Sequence, residues 1–224
     1  RSRGLGDVYK RQVPGVGQIK RNDILVFNYP HPYSWERIEM HIMQYYIKRC
    51  LGLPGDSIRI EQGFYRNNHT KEPLGNVESQ ANLSRQKADR MPDGVYRCFP
   101  FDSTFNWNVH DFGPLYIPRK GDRITVNQTN YKLYKQMIEW ESKDSLSWKD
   151  SKVYIGDKQV RQYRFQSNYY FVAGDKTENS RDSRYLGLIP EEFIVGVAWK
   201  VWKSVDPYTG EYRKGRFWKN IRNN

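Results

Sequence analysis

The chain is poor in the residues that hold metal-stabilised or disulfide-stabilised domains together. Its 224 residues include two cysteines, Cys50 and Cys98, and four histidines that show no H-x-x-x-H or paired Cys/His spacing. We therefore expect no metal site and no cofactor. Two cysteines leave a disulfide and two free thiols both open, so they do not indicate a redox compartment.

Long apolar runs and nucleic-acid motifs are missing as well. No stretch approaches the roughly 18 apolar residues of a membrane span, and no secretory signal is visible. No zinc spacing, helix-turn-helix pattern or RNP-type run accompanies the formal net charge of +12. Because the lysines and arginines are scattered, charge alone leaves nucleic acid and an anionic membrane surface both open as partners.

The chain does have the material for a core, with 38% hydrophobic and 15% aromatic residues. Its length fits one domain or a core with a sizeable insertion. Alternating and β-branched patterns predict strands, Gly156-Asp157 predicts a hairpin turn, and residues 131–141 fit a short amphipathic helix. The predicted strands cover residues 23–29, 123–127, 152–160, 168–173 and 194–203. The expected fold class is mainly β with one short helix.

Composition divides the chain into four parts. Residues 61–109 are polar and weakly periodic, which is typical of loops on an exposed insertion. We predict a leader of doubtful origin at 1–12, a core formed by 13–60 and 163–205, an inserted subdomain at 61–162 and a basic aromatic tail at 206–224. The leader is set aside because it lacks an initial Met and matches no pattern in the rest of the chain.

A lysine in a strand is the first sign of chemistry. The stretch YYIKRCLGLPGDSI, residues 45–58, places Lys48 and Arg49 in an apolar run that ends in a turn at residues 52–56. Burying an ammonium group is costly, so Lys48 either alternates outward into solvent or serves as a base that desolvation keeps neutral. The pattern alone leaves both interpretations open.

The second informative stretch is YYFVAGDKTENSRDSRYLGLIP, residues 169–190. A buried-looking strand enters a loop of small hydrogen-bonding side chains. In the structural interpretation, this loop is only a turn that an Asp182–Arg184 ion pair holds in place.

Together these motifs, K-R-x-L-G-L-P-G-D and G-D-x-x-x-N-S-x-D-S-R-Y-x-G, with KRNDILVFNYP upstream, resemble the bacterial type I signal peptidases. The resemblance covers about residues 13–202, and its aromatic-rich blocks look most like the Bacteroidetes branch. It implies an antiparallel β-sheet catalytic core with an inserted β-rich subdomain. It also implies a Ser–Lys dyad, in which a lysine takes the proton from a serine nucleophile.

The resemblance assigns roles to individual residues. Lys48 becomes the general base and Ser180 the hydroxyl that orients it, which requires burial of Lys48 among apolar atoms such as those of Tyr46, Ile47 and Leu51. The residues expected to support the site are Arg49, Gly174, Asp175, Asn179, Asp182, Ser183 and Arg184. The expected walls of the substrate pockets are Ile24, Val26, Phe27 and Tyr46.

The implied function is a membrane-associated serine endopeptidase that removes signal peptides from exported preproteins after small residues, at A-x-A sites. The expected location is the outer face of the cytoplasmic membrane. The expected partners are signal peptides and an anionic membrane surface, and no nucleic acid.

Two features depart from the family pattern. Lys176 and Thr177 stand where the family commonly has Asn and Arg, and nothing before Lys20 resembles the S-x-S-M-x-P block of the nucleophile. We therefore expect a fragment that lacks the nucleophile and the membrane anchor and is itself inactive.

Two other functions stay open. One is a non-catalytic basic β-rich module that binds a membrane surface or nucleic acid, and the other, weaker one is a self-cleaving Ser–Lys repressor. The upstream reading frame separates the peptidase from the binding module.

Overall fold

The computed structural model of the chain describes residues 17–201, 204–206, 208–216 and 218–221. It is built mainly from antiparallel strands, which confirms the predicted fold class. The strands are β1 Ile24–Asn28, β2 Tyr45–Gly52, β3 Ser57–Glu61, β4 Phe64–Asn67, β5 Phe112–Tyr116, β6 Arg123–Thr125, β7 Leu146–Lys149, β8 Lys152–Ile155, β9 Lys158–Val160, β10 Gln162–Arg164, β11 Tyr169–Ala173, β12 Ile189–Pro190, β13 Ile194–Ala198, β14 Lys200–Val201 and β15 Lys219–Asn220. The helices are α1 Val77–Ser84, α2 Asp93–Tyr96, α3 Gln128–Ser142 and α4 Ser183–Leu186. The predicted leader, 1–12, lies outside the described residues.

A five-stranded sheet in the order β12-β11-β2-β1-β13 forms the centre of the fold. Strand β2 pairs with β1 along residues 45–49, whereas it pairs with β11 only from Arg49 to Gly52. No described strand pairs with the other edge of residues 45–48. The sheet therefore has an open backbone edge at the point where β11 ends.

Burial patterns explain why these strands are central. Leu25 and Phe27 of β1 are fully buried at alternating positions, whereas all five residues of β11 are buried, as expected for a strand covered on both faces of the sheet. The predicted hairpin at 152–160 is confirmed as β8 and β9, with Gly156 at a positive φ of 55° in the turn.

The predicted amphipathic helix is confirmed as α3, and it buries Leu133, Tyr134, Met137 and Ile138. The Asn127 side chain caps its first turn by accepting a hydrogen bond from the backbone N–H of Asn130 at 2.8 Å.

The prediction of a single helix was wrong, because α1 forms in the stretch that was expected to be loops and short strands. Its buried residues include Ser79 and Gln80, so it lacks the apolar stripe that periodicity detects. Side-chain hydrogen bonds fix it instead: Asn76 caps the N–H of Ser79 at 3.2 Å, and Gln80 donates to the Leu74 carbonyl at 2.7 Å.

The domain boundaries stay a prediction, but two of them fall inside strands. The division at 60/61 cuts β3, and the division at 162/163 cuts β10. Core and insertion also share one buried cluster, in which the rings of Phe112 and Phe171 lie 5.8 Å apart. The insertion is therefore packed against the core.

Cys50 and Cys98 are free and buried, which resolves the alternatives left open above. Burial raises the pKa of both thiols, that of Cys98 to about 12, so both stay protonated near neutral pH. In the described ranges, no helix combines the length and apolarity needed to cross a bilayer.

Candidate active site

Lys48 lies on β2 opposite Leu25, beside the open edge of the sheet, and its side chain is half-buried. Its Nζ is 5.7 Å from the centroid of the Tyr46 ring. The expected burial among apolar atoms is found only in part, because Ile47 is 61% exposed. Ile47 points to the opposite face of β2 from Lys48, so its exposed side chain does not bury the amine.

Gly174 brings Lys48 and Ser180 together. A Cβ on Gly174 would collide with the Ser180 hydroxyl and would lie 3.6 Å from Lys48 Nζ. Any larger residue would therefore fill the space between the two side chains. The Ser180 Oγ is buried and has no hydrogen-bond partner in the described part of the chain.

The base of this loop is an ion pair between Asp182 and Arg184, whose side chains are 0% and 1% exposed. The Asp182 carboxylate accepts hydrogen bonds from Arg184 Nε and Nη2, both at 2.9 Å, and from the N–H of Gly174 at 3.0 Å. Burial alone would lower the pKa of Arg184, but the charge of Asp182 raises it well above its ordinary value. The Ser183 hydroxyl accepts a hydrogen bond from the N–H of Val172 at 2.9 Å and ties the loop to β11.

A second ion pair lies at the rim of the loop. Arg49 Nε and Nη2 each donate to the Asp175 carboxylate at 2.7 Å. The two side chains are 20% and 48% exposed. This pair connects β2 to the residue that follows Gly174.

An open cleft of about 200 Å³ lies above these groups. Seven of the nine residues that line it were assigned to the site or to the substrate walls from the sequence. The lining residues are Ile24, Ile47, Lys48, Arg49, Gly174, Asp175, Lys176, Asn179 and Ser180. A larger groove of about 910 Å³ continues from Asn179 and Ser180 towards Trp35, Arg181 and Tyr185.

The predicted substrate walls are only partly present. Ile24 lines the cleft, and half-buried Val26 lies opposite Ile47 on β2. Phe27 was expected to form a wall of the substrate pockets. This was wrong, because its side chain is fully buried and cannot contact a substrate. Tyr46 stacks on Tyr29 with ring centroids 4.8 Å apart and supports Lys48 from the side.

Sequence reasoning missed Ile47 and Lys176 as lining residues. Alternation along β2 puts Ile47 on the face opposite to Lys48 and buried Cys50, so the pattern gave no reason to place Ile47 in the same cleft as Lys48. No sequence signal indicated Lys176, which reaches the cleft through the course of the loop.

Asp56, at the end of the G-L-P-G-D turn, anchors the strand that carries Lys48. Its carboxylate accepts hydrogen bonds from Arg21 Nε at 2.9 Å, the N–H of Leu53 at 2.9 Å and Asn67 Nδ2 at 2.8 Å, and His69 Nδ1 lies 2.9 Å away. Burial works to raise the pKa of Asp56, but these hydrogen bonds lower it to about 2.

The sequence led us to expect no metal site. Across the described ranges, no group of three or more His, Cys, Asp or Glu side chains could hold a metal ion.

Comparison with protein families identifies the family to which the chain belongs. A family model described as signal peptidase, peptidase S26, matches residues 6–202. The chain belongs to this family. The recognition made from the motifs around Lys48 and Ser180 is confirmed at the level of the family.

The chain is also similar in sequence to individual curated proteins of this family. The chain is 29% identical over 202 residues to signal peptidase I of Buchnera aphidicola subsp. Acyrthosiphon pisum (strain APS), covering 87% of this chain and 57% of that protein. It is 27% identical over 207 residues to signal peptidase I of Pseudomonas aeruginosa (strain PAO1), covering 88% of this chain and 54% of that protein. The chain thus spans just over half the length of these curated relatives.

Among solved structures, a crystal structure of a signal peptidase I from Enterococcus faecalis V583 is similar at 16% identity and a TM-score of 0.39. The match covers 82% of this chain and 99% of that one.

Proposed function

We propose that this chain is the catalytic part of a serine endopeptidase that removes signal peptides from exported preproteins. The observation that carries the proposal is the meeting of Lys48 and Ser180 across Gly174, beside an unpaired strand edge. Family membership supports the same activity.

In the proposed mechanism, a serine from a block upstream of Lys20 attacks the scissile carbonyl. Lys48 accepts the proton of that serine and later delivers it to the leaving amine. The Ser180 hydroxyl has no hydrogen-bond partner in the described chain, so it is available to hydrogen-bond Lys48 Nζ in the complete enzyme and hold it in line. In the proposed complex, the nucleophile block and the bound substrate cover the half-buried lysine and exclude water from it.

The proposed substrate binds as an extended strand along residues 45–48. The free backbone groups of that edge supply hydrogen bonds, while side-chain pockets select the sequence. Ile24 and Ile47 form a shallow apolar wall next to Lys48, and this supports a preference for small residues at A-x-A sites.

The proposed site of action is the outer face of the cytoplasmic membrane, with an anionic membrane surface as a second partner. Lys200 Nζ lies 4.9 Å from the ring centroids of both Trp199 and Trp218, and both rings are more than half exposed. Aromatic and basic side chains together suit a lipid headgroup region. Phe217, which belongs to the predicted basic aromatic tail, lies outside the described residues.

Co-sedimentation with anionic vesicles tests this surface. Binding should weaken with salt but keep a residual part from the aromatic side chains, whereas binding to nucleic acid should vanish steeply. Tight binding of DNA at physiological salt without vesicle binding would contradict the proposal.

The decisive experiment for the activity uses the full reading frame of the gene. We expect it to encode a serine-containing block upstream of residue 13, and the purified protein should cleave a peptide that carries an A-x-A site. The chain as printed should not cleave that peptide. A reading frame without such a serine, or a full-length protein that leaves the peptide intact, would overturn the proposal and favour the non-catalytic module.

A further inference from the structure

The loop that carries Ser180 is tied to helix α1 of the inserted segment through one hydroxyl. Ser79 Oγ accepts a hydrogen bond from the N–H of Thr177 at 2.7 Å and donates to Glu178 Oε2 at 2.5 Å. A serine hydroxyl has one proton to donate and lone pairs to accept with, so the two contacts are compatible. Arg184 Nη2 donates to the carbonyl of Thr177 at 2.8 Å, so both peptide groups of Thr177 are held.

Helix α1 is itself firmly fixed, so it can act as a platform for the loop. The Asn76 side chain caps Ser79, and Gln80 Oε1 accepts a hydrogen bond from the N–H of Tyr65 on β4 at 2.9 Å. Leu83 is buried in the shared core. Ser79 is therefore buried on a helix whose position is fixed by its hydrogen bonds to β4 and by its packing in the core.

Ser180 depends on this support. Its Oγ makes no hydrogen bond within the described chain, so its place beside Gly174 is set by the backbone that begins at Thr177. The hydrogen bond from Ser79 lowers the pKa of Glu178 and so keeps its carboxylate ionised as an acceptor.

We propose that Ser79 is a positioning residue for the reaction, which holds the segment 177–180 so that Ser180 faces Lys48. The role of Ser79 in catalysis rests on the function proposed above. The contact joins the inserted segment to the catalytic loop, so through Ser79 the insertion helps to position that loop.

The first test measures amide hydrogen exchange in the chain as printed, comparing Ser79→Ala with Ser79→Thr. Losing the hydroxyl should speed exchange at the Thr177 amide about tenfold, as expected for one hydrogen bond, while β11 keeps its protection. Ser79→Thr, which keeps a hydroxyl, should restore the protection. Ser84→Ala is the matched control, because Ser84 lies on the same helix and, among the described residues, its hydroxyl bonds only to the Ala81 carbonyl, at 2.9 Å.

Unchanged exchange at Thr177 in Ser79→Ala, or an equal change in Ser84→Ala, would overturn the proposal. If Ser79→Ala does not fold, Glu178→Ala decides instead, because it removes the loop carboxylate that fixes the orientation of the Ser79 hydroxyl to which Thr177 donates. It should speed exchange at Thr177 severalfold, and no change there would again overturn the proposal.

The second test measures peptide cleavage by the full-length protein. Ser79→Ala should lower kcat about tenfold with KM changed less than about twofold, because a misplaced Ser180 harms the transition state rather than substrate binding. Ser79→Thr and Ser84→Ala should stay near the parent. An unchanged kcat in Ser79→Ala would overturn the catalytic role. An inactive parent would overturn the proposed function, while the exchange test would still decide whether Ser79 holds the loop.

Discussion

The loop from Gly174 to Arg184 is braced by two acid–base pairs that differ in burial. Asp182 and Arg184 are fully enclosed at its base, whereas Arg49 and Asp175 lie at its rim beside the cleft. Both pairs have short, bidentate hydrogen bonds, so geometry alone does not separate them. Burial does, because an enclosed charge that loses its partner has no water to replace it. We therefore expect the pair at the base to contribute more to stability than the pair at the rim.

The largest expected effect on stability comes from Asp182→Asn. It leaves the buried guanidinium of Arg184 without a counter-charge, which typically costs about 3–5 kcal/mol. Urea unfolding of the chain should show this loss in the free energy of unfolding. A loss below about 1 kcal/mol would mean that water enters the base of the loop, and the comparison with the rim would fail.

An intermediate effect is expected from Asp56, whose partner Arg21 is partly exposed. The folded-state pKa of Asp56 is lowered to about 2, so its contribution to stability is present above the unfolded pKa near 4 and is lost as the pH falls towards 2. Between pH 6 and pH 2, the stability advantage of the parent over Asp56→Asn should shrink by on the order of 2 kcal/mol.

The basic groups that pair with the Asp56 carboxylate are Arg21 and His69. Unfolding curves of parent and variant at several pH values measure the difference. A constant difference across that range would show that Asp56 titrates alike in the folded and unfolded chain.

The smallest effect is expected from Asp175→Asn at the rim. Solvent screens this pair, so its loss should change the free energy of unfolding by about 0–1 kcal/mol. The same urea experiment applies, with Asp182→Asn as the reference. Equal destabilisation by the two variants would remove the distinction between base and rim.

Much of the site could be predicted from the sequence, because its residues lie in two short motifs next to strong strands. The K-R pair on β2 and the G-D to S-R block after β11 become neighbours once these strands pair. Helix α3 and the β8–β9 hairpin could also be predicted, because apolar spacing and a Gly-containing turn are signals within a short stretch of sequence.

The remaining features depend on contacts that the sequence does not display. Helix α1 buries Ser79 and Gln80 through hydrogen bonds to distant backbone, so no apolar period marks it. Ile47 was expected to help bury Lys48, but it lies on the opposite face of β2 and is exposed there. Phe27 was expected to meet the substrate, but its position in the core depends on strands far along the chain.

The most direct test of the central claim compares two lysines that line the same cleft. In the full-length protein, Lys48→Ala should abolish cleavage of an A-x-A peptide while the unfolding midpoint stays close to that of the parent, because Lys48 is only half-buried. Lys176→Ala is the matched control and should keep cleavage near the parental rate. Full activity in Lys48→Ala, or equal losses in both variants, would contradict the role of Lys48 as the base.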